Sequence, residues 1–359
     1  MSFLIAAAGT GGHVFPGLGV GEALTDLGVP KNEILYVGGD RMEADVYPHA
    51  GFPFLQVEMR GLQRSLSTRN LSLPRLVWRA RDEIAEVITK RRVRVALAMG
   101  GYVTVPTWLA ARKTGVRLMV AEQNAVAGLA NRVVSRWAIR SFGSFPQTPG
   151  LIRGEWVGNP VRRELANFDR EALRQGALER YSLDAGLPVL GVFGGSLGAG
   201  AINQAVAEMC ARWDGPPIQV LHIAGPAHVG SLMTSPPTPG VTWLRLGFED
   251  RMDLFYAASD LVLGRAGGGV AELTATGTPA ILVPGEFGSS GHQAANAARL
   301  ADAGAAVVVT EADLAGLPAM VASTLLEPEV LRAMGKSSLS IGKPHAAGAI
   351  AQAMLETAQ

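Results

Sequence analysis

The chain has 359 residues, 48% of them hydrophobic and 18% charged, which is enough for two domains with sizeable cores and excludes a disordered chain. The single cysteine, Cys210, excludes an internal disulfide framework and a cysteine-built metal site. Residues 1–160 hold 19 Lys and Arg against 12 Asp and Glu, whereas residues 161–359 hold 13 against 19. This split favours an anionic partner for the first half and is too mild for a dedicated nucleic-acid-binding protein.

Short apolar runs alternate with amphipathic stretches along the whole chain. The predicted strands are 3–8, 34–37, 54–57, 93–98, 118–121, 189–193, 219–223, 261–263, 280–283 and 306–309. The predicted helices are 16–27, 76–90, 107–114, 127–137, 201–212, 270–276, 293–303 and about 346–357. Fully apolar strands between helices are typical of parallel sheets that are covered on both faces. No run of 18 apolar residues occurs, so no spanning helix is predicted, and the apolar N-terminus is interpreted as a strand rather than a signal peptide.

An apolar strand that runs into a glycine-rich turn and a helix occurs twice. The first begins at Phe3 and the second at Val189. This repetition predicts an α/β fold of two doubly wound, Rossmann-like domains, 1–160 and 161–342. The residues alone do not assign the last helix, within 343–359, to either domain.

The first glycine turn, Gly9-Thr-Gly-Gly-His13, is a candidate site for an anion or a sugar. Glycines let backbone N–H groups approach a ligand, and a helix N-terminus adds favourable partial charge. The turn lacks the Gly-Lys-Ser/Thr of a P-loop, and Val14 stands where the dinucleotide fingerprint has its third glycine. Pro16 is predicted in the first helical turn. His13 is a candidate general base, and helix capping is the alternative.

Two further glycine turns follow strands in the second half. In Gly194-Gly-Ser-Leu-Gly198, Ser196 suits either a phosphate contact or a helix cap. In 265–272, Glu272 lies about one turn into the next helix and suits two ribose hydroxyls. The alternative for Glu272 is an acidic residue favoured by the helix dipole.

Amide side chains at two other places are candidate sugar ligands. Gln293 and Asn296 share a helical face with His292, and a polar helix start is the alternative. Asn124 follows an apolar strand and is either a turn residue or a ligand-facing one. No Asp-x-Asp pair flanks a predicted strand end, so we expect no obligatory metal.

The most basic part of the chain is 60–94, with ten cations against three carboxylates. Leu and Trp residues interleave with the cations, which suits a surface that rests on an anionic membrane. An ordinary solvated helix with its Leu and Trp in the core is the alternative. The cations are Arg60, Arg64, Arg69, Arg75, Arg79, Arg81, Lys90, Arg91, Arg92 and Arg94.

Taken together, these motifs resemble the MurG glycosyltransferases of glycosyltransferase family 28. The matching runs, in family order, are Gly9-Thr-Gly-Gly-His-Val-Phe-Pro-Gly17, Met99-Gly-Gly-Tyr102, Glu122-Gln-Asn124, Val157-Gly-Asn-Pro-Val-Arg162, Gly194-Gly-Ser196 and His292-Gln-Ala-Ala-Asn296. The resemblance implies a GT-B fold, with two Rossmann-like domains facing each other across a cleft. The first would take a lipid acceptor at the membrane, the second a nucleotide sugar, and the final helix would return to the first.

The activity that the resemblance implies is an inverting transfer in peptidoglycan biosynthesis. N-acetylglucosamine would pass from UDP-N-acetylglucosamine to the 4-hydroxyl of undecaprenyl-linked muramyl-pentapeptide, without a cofactor. The protein would be peripheral at the cytoplasmic face of the plasma membrane, against its anionic surface, and would bind no nucleic acid. The alternatives are a transferase with another lipid acceptor such as a diacylglycerol, a nucleotide-sugar epimerase, and a non-catalytic nucleotide-sugar-binding subunit.

The resemblance also implies roles for individual residues. In the first half, His13 would be the base, Thr10, Gly11 and Gly12 would contact the donor sugar or the acceptor diphosphate, and Asn124 would contact the sugar. The donor diphosphate would be held by Arg162 and Ser196, and Gly268, Gly269 and Val270 would lie at the phosphates. Glu272 would bind the ribose, Gln293 and Asn296 would bind sugar hydroxyls, and backbone groups near Phe248 and Glu249 would read the uracil. Two departures are visible: Gly267-Gly-Gly-Val270 is one residue shorter than the usual family stretch and lacks its Thr, and Glu249 stands where an apolar residue is common.

Overall fold

The computed structural model describes residues 2–59, 72–195, 198–230, 232, 237–285 and 291–359. The chain divides into two compact units, Met1–Arg163 with Lys343–Gln359, and Glu164–Gly342. Each unit contains one parallel β-sheet with helices on its faces.

The sheet of the first unit has the strand order β3-β2-β1-β4-β5-β6-β7, and that of the second has the order β10-β9-β8-β11-β12-β13. All strand pairs in both sheets are parallel. The strands of the first unit are β1 (Ser2–Ala6), β2 (Ile34–Gly38), β3 (Phe54–Gln56), β4 (Val93–Ala98), β5 (Arg117–Glu122), β6 (Arg140–Gly143) and β7 (Gly154–Trp156). Those of the second are β8 (Val189–Phe193), β9 (Ile218–Ile223), β10 (Val241–Leu246), β11 (Leu261–Gly264), β12 (Ala280–Leu282) and β13 (Ala306–Val308).

The α-helices cover the faces of these sheets. They are α1 (Gly11–Asp26), α2 (Glu43–His49), α3 (Leu73–Arg91), α4 (Thr104–Thr114), α5 (Leu129–Val134), α6 (Arg163–Ala166), α7 (Arg170–Arg180), α8 (Gly200–Arg212), α9 (Met252–Ala258), α10 (Gly269–Thr276), α11 (His292–Asp302), α12 (Leu317–Leu325), α13 (Pro328–Ile341) and α14 (Ala346–Ala358).

The ten predicted strands are present, each within two residues of its predicted bounds. Three strands were missed, namely β6, β7 and β10. Strands β7 and β10 lie at sheet edges, and all three residues of β7 are exposed. A strand with one edge and one face in solvent needs no continuous apolar run, so it leaves little signal in the sequence.

The boundary between the units falls at 163/164 rather than at the expected 160/161. The reason lies in contacts with α1. The backbone N–H of Arg163 donates to Glu22 at 2.9 Å, and its guanidinium pairs with Asp26 at 2.7 Å. A Cβ on Gly19 would lie only 2.3 Å from the carbonyl oxygen of Val161, so the segment after β7 packs directly on this helix.

The last helix, α14, belongs to the core of the first unit. Its small apolar residues share one buried cluster with β1, α1 and β4. Ile350 and Met354 are fully buried there, together with Val14 and Leu24 of α1. The alanine-rich face of α14 allows this close approach of two helices.

Acid should destabilise the second unit through a buried histidine on β9. The side chain of His222 is fully buried, and its Nε2 lies 2.9 Å from Oδ1 of Asn203. Burial, and then the positive charge of Arg245, lower the pKa of His222 from 6.5 to about 4. The folded state therefore excludes a proton that the unfolded chain accepts, and stability present above pH 6.5 is lost as the pH falls towards 4.

From this shift we expect a loss of roughly 3 kcal/mol in the free energy of unfolding of the second unit. Urea unfolding of the wild type and of His222→Gln, each at pH 7 and pH 4.5, measures it. The glutamine variant should lose much less stability on acidification. An equal loss in both proteins would assign the acid sensitivity to other groups.

Candidate active site

The glycine turns lie at the carboxyl ends of the central strands of both sheets. In the first sheet the chain builds outward from β1 through β2 to β3, then crosses to β4 on the other side of β1. The neighbours β8 and β11 have the same relation in the second sheet. Open α/β sheets bind ligands at such switch points, because the loops after the two strands diverge and leave a crevice. The turns at 9–13 and 100–102 follow β1 and β4, and those at 194–195 and 267–269 follow β8 and β11.

Helix α1 begins at Gly11, five residues earlier than predicted, so Pro16 lies inside the helix and not in its first turn. Thr10 is the N-cap residue, with extended backbone angles of −130° and 162°, and among the described residues its side chain makes no capping hydrogen bond. His13 therefore lies in the first helical turn, and its backbone N–H donates to the carbonyl of Thr10 at 2.9 Å. Thr10, Gly11 and Gly12 lie at the positive end of the helix dipole, which is suited to an anion.

The imidazole of His13 is half-buried and lies against the turn that follows β4. Its Nδ1 is 3.5 Å from Oγ1 of Thr10. A Cβ on Gly100 would lie 2.7 Å from Cδ2 and 2.8 Å from Nε2 of the ring. Gly100 also has a φ of +103°, which disfavours any other residue. The position of the ring thus depends on a glycine that is distant in sequence.

The surroundings of His13 favour its neutral form. Burial lowers the pKa of His13 below 6.5, and the carboxylates of Glu122 and Glu43 oppose this shift in part. An imidazole that is neutral at physiological pH can accept a proton, as a general base must.

Glu43, at the start of α2, links three loops around this turn. Its buried carboxylate accepts hydrogen bonds from the N–H of Gly9 at 3.3 Å, the N–H of Gly39 at 3.0 Å and the hydroxyl of Tyr102 at 2.5 Å. These donors follow β1, β2 and β4. Glu43 carries no signal of this role in the sequence, because an acidic residue between Arg41 and Asp45 is typical of a solvated helix start.

Glu122, at the end of β5, accepts hydrogen bonds that hold the loop of Asn124. One carboxylate oxygen accepts from both the backbone N–H and Nδ2 of Asn124, each at 3.0 Å. The other accepts from the N–H of Gly128 at 3.0 Å and from Nδ2 of Asn131 at 2.9 Å. The carboxylate is buried but fully hydrogen-bonded, and it holds the loop of Asn124 in one conformation.

Arg162 lies in the first unit and not, as expected, in the second. Its guanidinium carbon is 5.4 Å from the centre of the Phe15 ring, which is two residues beyond His13 in α1. The sequence-based assignment of Arg162 to the donor diphosphate therefore concerns a residue of the unit that carries His13.

In the second unit, Ser196 lies outside the described residues. The helix that follows its turn, α8, begins at Gly200, and Ala199 occupies the N-cap position. Gly195 and Gly198 have φ values of +89° and +75°, so both need the conformational freedom of glycine.

The turn after β11 brings four predicted residues into one helix start. Gly268 is the N-cap residue of α10 and Gly269 its first residue. A Cβ on Gly269 would lie 2.6 Å from Cζ of Phe193, so the close approach requires glycine. The side chain of Val270 is buried, and its backbone N–H donates to the carbonyl of Gly267 at 3.2 Å. Glu272 is half-buried in the first turn, and it accepts a hydrogen bond from the hydroxyl of Tyr256 at 2.9 Å.

The predicted amide ligands on α11 contact neighbouring loops. Oε1 of Gln293 accepts from the N–H of Gly285 at 2.8 Å. Asn296 is fully buried, and its Nδ2 donates to the carbonyl of Ala266 at 3.0 Å. Asn296 thus supports the glycine turn after β11 through this hydrogen bond.

The side chain of Glu249 is directed into the second unit. It is buried, and it contacts Arg180 at 3.1 Å and the hydroxyl of Tyr181 at 2.8 Å. Any contact of Glu249 with a ligand would therefore come from its backbone. The preceding side chain, Phe248, is 54% exposed.

Part of the basic stretch lies outside the described residues, including Arg60, Arg64, Arg69 and Leu71. The described part, residues 72–94, covers the whole of α3 and the start of β4. Trp78 is 51% exposed, and the guanidinium carbon of Arg81 is 4.1 Å from its ring centre. Arg75 is exposed as well, whereas Arg79 is paired with Glu58 and Glu83, both at 2.9 Å.

The described part of the chain shows neither a metal-binding cluster nor a single membrane-spanning helix. No group of three or more His, Cys, Asp or Glu side chains suited to a metal lies within the described ranges. In that same part of the chain, no single helix has the length and apolar composition to cross a membrane; one pair of segments bent by 90°, Glu311–Leu325 with Pro328–Ala358, passes on length and composition only.

Both halves of the chain match models of known protein families. Residues 3–142 match the glycosyltransferase family 28 N-terminal domain, and residues 189–351 match the glycosyltransferase family 28 C-terminal domain. The chain belongs to glycosyltransferase family 28. The first match lies within the first unit, and the second covers residues 189–342 of the second unit and continues into the start of α14.

Within family 28, the chain is similar to proteins of one group. The UDP-N-acetylglucosamine–N-acetylmuramyl-(pentapeptide) pyrophosphoryl-undecaprenol N-acetylglucosamine transferase of Clavibacter sepedonicus is 38% identical over 95% of this chain and 92% of its own length. The crystal structure of MurG from Acinetobacter baumannii is 27% identical, covers 99% of both chains and has a TM-score of 0.76. The chain is thus a family 28 glycosyltransferase of the MurG group, with the GT-B fold.

The fold extends beyond this family. The UDP-GlcNAc 2-epimerase of Neisseria meningitidis, solved with UDP-GlcNAc, covers 99% of this chain and all of its own, with a TM-score of 0.66 but only 12% identity. At that identity the likeness concerns the fold alone, because the same fold supports several chemistries.

Proposed function

We propose that this protein transfers N-acetylglucosamine from UDP-N-acetylglucosamine to lipid-linked muramyl-pentapeptide, a step of peptidoglycan biosynthesis. The observation that carries the proposal is the 38% identity, over 95% of this chain, to the Clavibacter sepedonicus N-acetylglucosamine transferase named above. The glycine turns at 9–13, 194–198 and 267–269 all lie within the residues that match the two family models.

The proposed reaction is a single displacement with inversion at the anomeric carbon. The oxygen of the muramyl 4-hydroxyl forms a bond to C1 of N-acetylglucosamine while the bond from C1 to the UDP oxygen breaks. UDP leaves with the bonding electrons, and the hydroxyl proton passes to the neutral imidazole of His13. A positioned base of this kind contributes about 10²–10⁴-fold to a rate.

Negative charge develops on the departing UDP and needs fixed donors. Helices α8 and α10 begin at the switch point of the second sheet, and their positive ends suit this diphosphate. We assign Ser196, Gly268, Gly269, Val270 and Arg162 to it. Glu272 is assigned to the ribose, the backbone at Glu249 to the uracil, and Gln293 to the sugar hydroxyls. Asn296, which is fully buried, is assigned to support of the turn.

In the first unit, the start of α1 is assigned to the reacting end of the substrates. Thr10, Gly11 and Gly12 would contact the donor sugar or the acceptor diphosphate, and Asn124, held by Glu122, would contact the sugar. These assignments are supported by the common position of all four residues at the carboxyl edge of the first sheet.

Incubation with labelled UDP-N-acetylglucosamine tests the proposal, with and without lipid-linked muramyl-pentapeptide. We expect UDP release and a labelled lipid product only when the acceptor is present. Conversion of the sugar without an acceptor would indicate an epimerase. Transfer to a diacylglycerol instead would indicate a different lipid acceptor, and binding without any turnover would indicate a non-catalytic subunit.

The acceptor is anchored in a membrane, so the enzyme must reach it there. We propose a peripheral attachment at the cytoplasmic face, through the exposed start of α3. The support is the exposed Trp78 with the exposed Arg75 on the same helical segment, since an exposed aromatic ring beside a cation suits the interface of an anionic bilayer.

Charge reversal at Arg75 should weaken binding to anionic vesicles at least about fivefold, because each juxtamembrane cation contributes about 1 kcal/mol. Arg79 was also a predicted contact, but its two carboxylate partners make it a poorer probe. Co-sedimentation with phosphatidylserine-containing vesicles measures the effect. Arg212→Glu, at the exposed last residue of α8 in the second unit, is the matched control. Equal binding by Arg75→Glu and wild type would remove α3 from the membrane interface.

A further inference from the structure

The carboxylate of Glu272 has a partner to which neither the family match nor the sequence analysis assigns a role. Tyr256 on α9 directs its hydroxyl to Oε2 of Glu272 on α10, at 2.9 Å. A carboxylate only accepts hydrogen bonds, so the tyrosine donates. The hydrogen bond joins two helices that flank β11, the strand at the switch point of the second sheet.

The tyrosine ring is held rigidly. Tyr256 is fully buried, and its ring meets Phe193 at 6.3 Å and 90° and Phe255 at 5.4 Å and 76°. Such edge-to-face contacts restrict the ring to one orientation. Phe193 also packs against the Gly269 backbone, so the ring that fixes Tyr256 also contacts the first residue of α10.

A fixed donor matters to Glu272 because a glutamate side chain has three rotatable bonds. Binding two neighbouring ribose hydroxyls requires the carboxylate in one orientation, and ordering a free side chain at the moment of binding costs affinity. A tyrosine that orders the carboxylate beforehand removes that cost. The benefit is largest for a ligand that carries both hydroxyls.

We propose that Tyr256 is a positioning residue that orients Glu272 towards the ribose and thereby sets a preference for ribonucleotides over 2′-deoxyribonucleotides. This inference rests on the proposed function, in which Glu272 binds the ribose of a uridine nucleotide. Tyr256 itself touches no substrate.

Tyr256→Phe removes only the hydroxyl oxygen and tests the proposal. Calorimetric titration measures the Kd of UDP and of 2′-deoxy-UDP for the wild type and the variant. We expect UDP affinity to fall about fivefold to tenfold, within the net contribution of an ordinary hydrogen bond, and 2′-deoxy-UDP affinity to change much less. The ratio of the two Kd values should shrink at least threefold, while kcat at saturating donor stays within about twofold.

Tyr181→Phe is the matched control. Tyr181 is also buried in the second unit, and its hydroxyl donates to a different carboxylate, Glu249, at 2.8 Å. This variant loses the same atom and should keep the wild-type ratio of Kd values. Thermal unfolding of both variants verifies that they are comparably folded.

Glu272→Gln separates the possible failures. If this variant loses the preference for UDP while Tyr256→Phe keeps it, Glu272 binds ribose without help and the role of Tyr256 is refuted. If the wild type itself shows no preference for UDP over 2′-deoxy-UDP, the ribose assignment of Glu272 fails. If the wild type binds neither nucleotide, the proposed function fails.

Discussion

Replacing His13 by alanine should lower kcat by about 10²–10⁴-fold and leave UDP affinity nearly unchanged. The imidazole is the proposed proton acceptor, and burial keeps it neutral by lowering its pKa below 6.5. The residues assigned to the uridine and most of those assigned to the diphosphate lie in the second unit, so they remain in place. Single-turnover transfer to the lipid-linked acceptor measures the first effect, and calorimetric titration with UDP measures the second.

The pH profile gives an independent readout for His13. The wild-type kcat/KM should fall as the pH drops through the pKa of His13, which lies below 6.5, because the protonated ring accepts no proton. His13→Ala should lack this acidic limb. A variant that turns over within about threefold of the wild type would remove His13 from the role of base.

Gly100→Ala should lower kcat about 10–100-fold without any change to a polar side chain, because displacing a catalytic group by about 1 Å can cost about 10²-fold. The new methyl group would lie 2.7 Å and 2.8 Å from two atoms of the His13 ring, so the ring must move. UDP affinity should again be retained. The same transfer and titration measurements apply.

Gly115→Ala is the control for backbone strain. Gly115 also has a positive φ, +74°, but no described heavy atom lies within 4 Å of a Cβ placed there. Both variants introduce alanine into a disfavoured conformation, and only Gly100→Ala displaces the imidazole. Equal losses of kcat in both variants would show that strain, and not the position of His13, explains the effect.

The fold class could be predicted because buried parallel strands carry a strong signal. Each interior strand is a short apolar run, and a glycine turn marks the start of each domain. The edge strands β7 and β10 were missed for the converse reason, since their exposure removes the apolar pattern. The start of α1 was misplaced because Pro16 is typical of a first helical turn, whereas Thr10 occupies the N-cap position.

Individual ligand candidates such as His13 and Glu272 could also be predicted, since they follow strands at recognisable turns. Their supporting residues could not. Glu43 contacts Tyr102 across 59 positions of sequence, and Tyr256 contacts Glu272 across 16. Nothing local to Glu43 or Tyr256 distinguishes it from an ordinary helix residue, because its role arises only when strands that are separate in sequence lie side by side.

The sequence by itself determined the two α/β units, their glycine turns and the family to which the chain belongs, because these depend on local patterns of apolar residues and glycine. Only the tertiary structure decided that β1 lies beside β4, that His13 lies against Gly100, and that Arg162 belongs to the first unit. It also decided the protonation state of His13, since the pKa of an imidazole depends on burial and on carboxylates that folding brings near it.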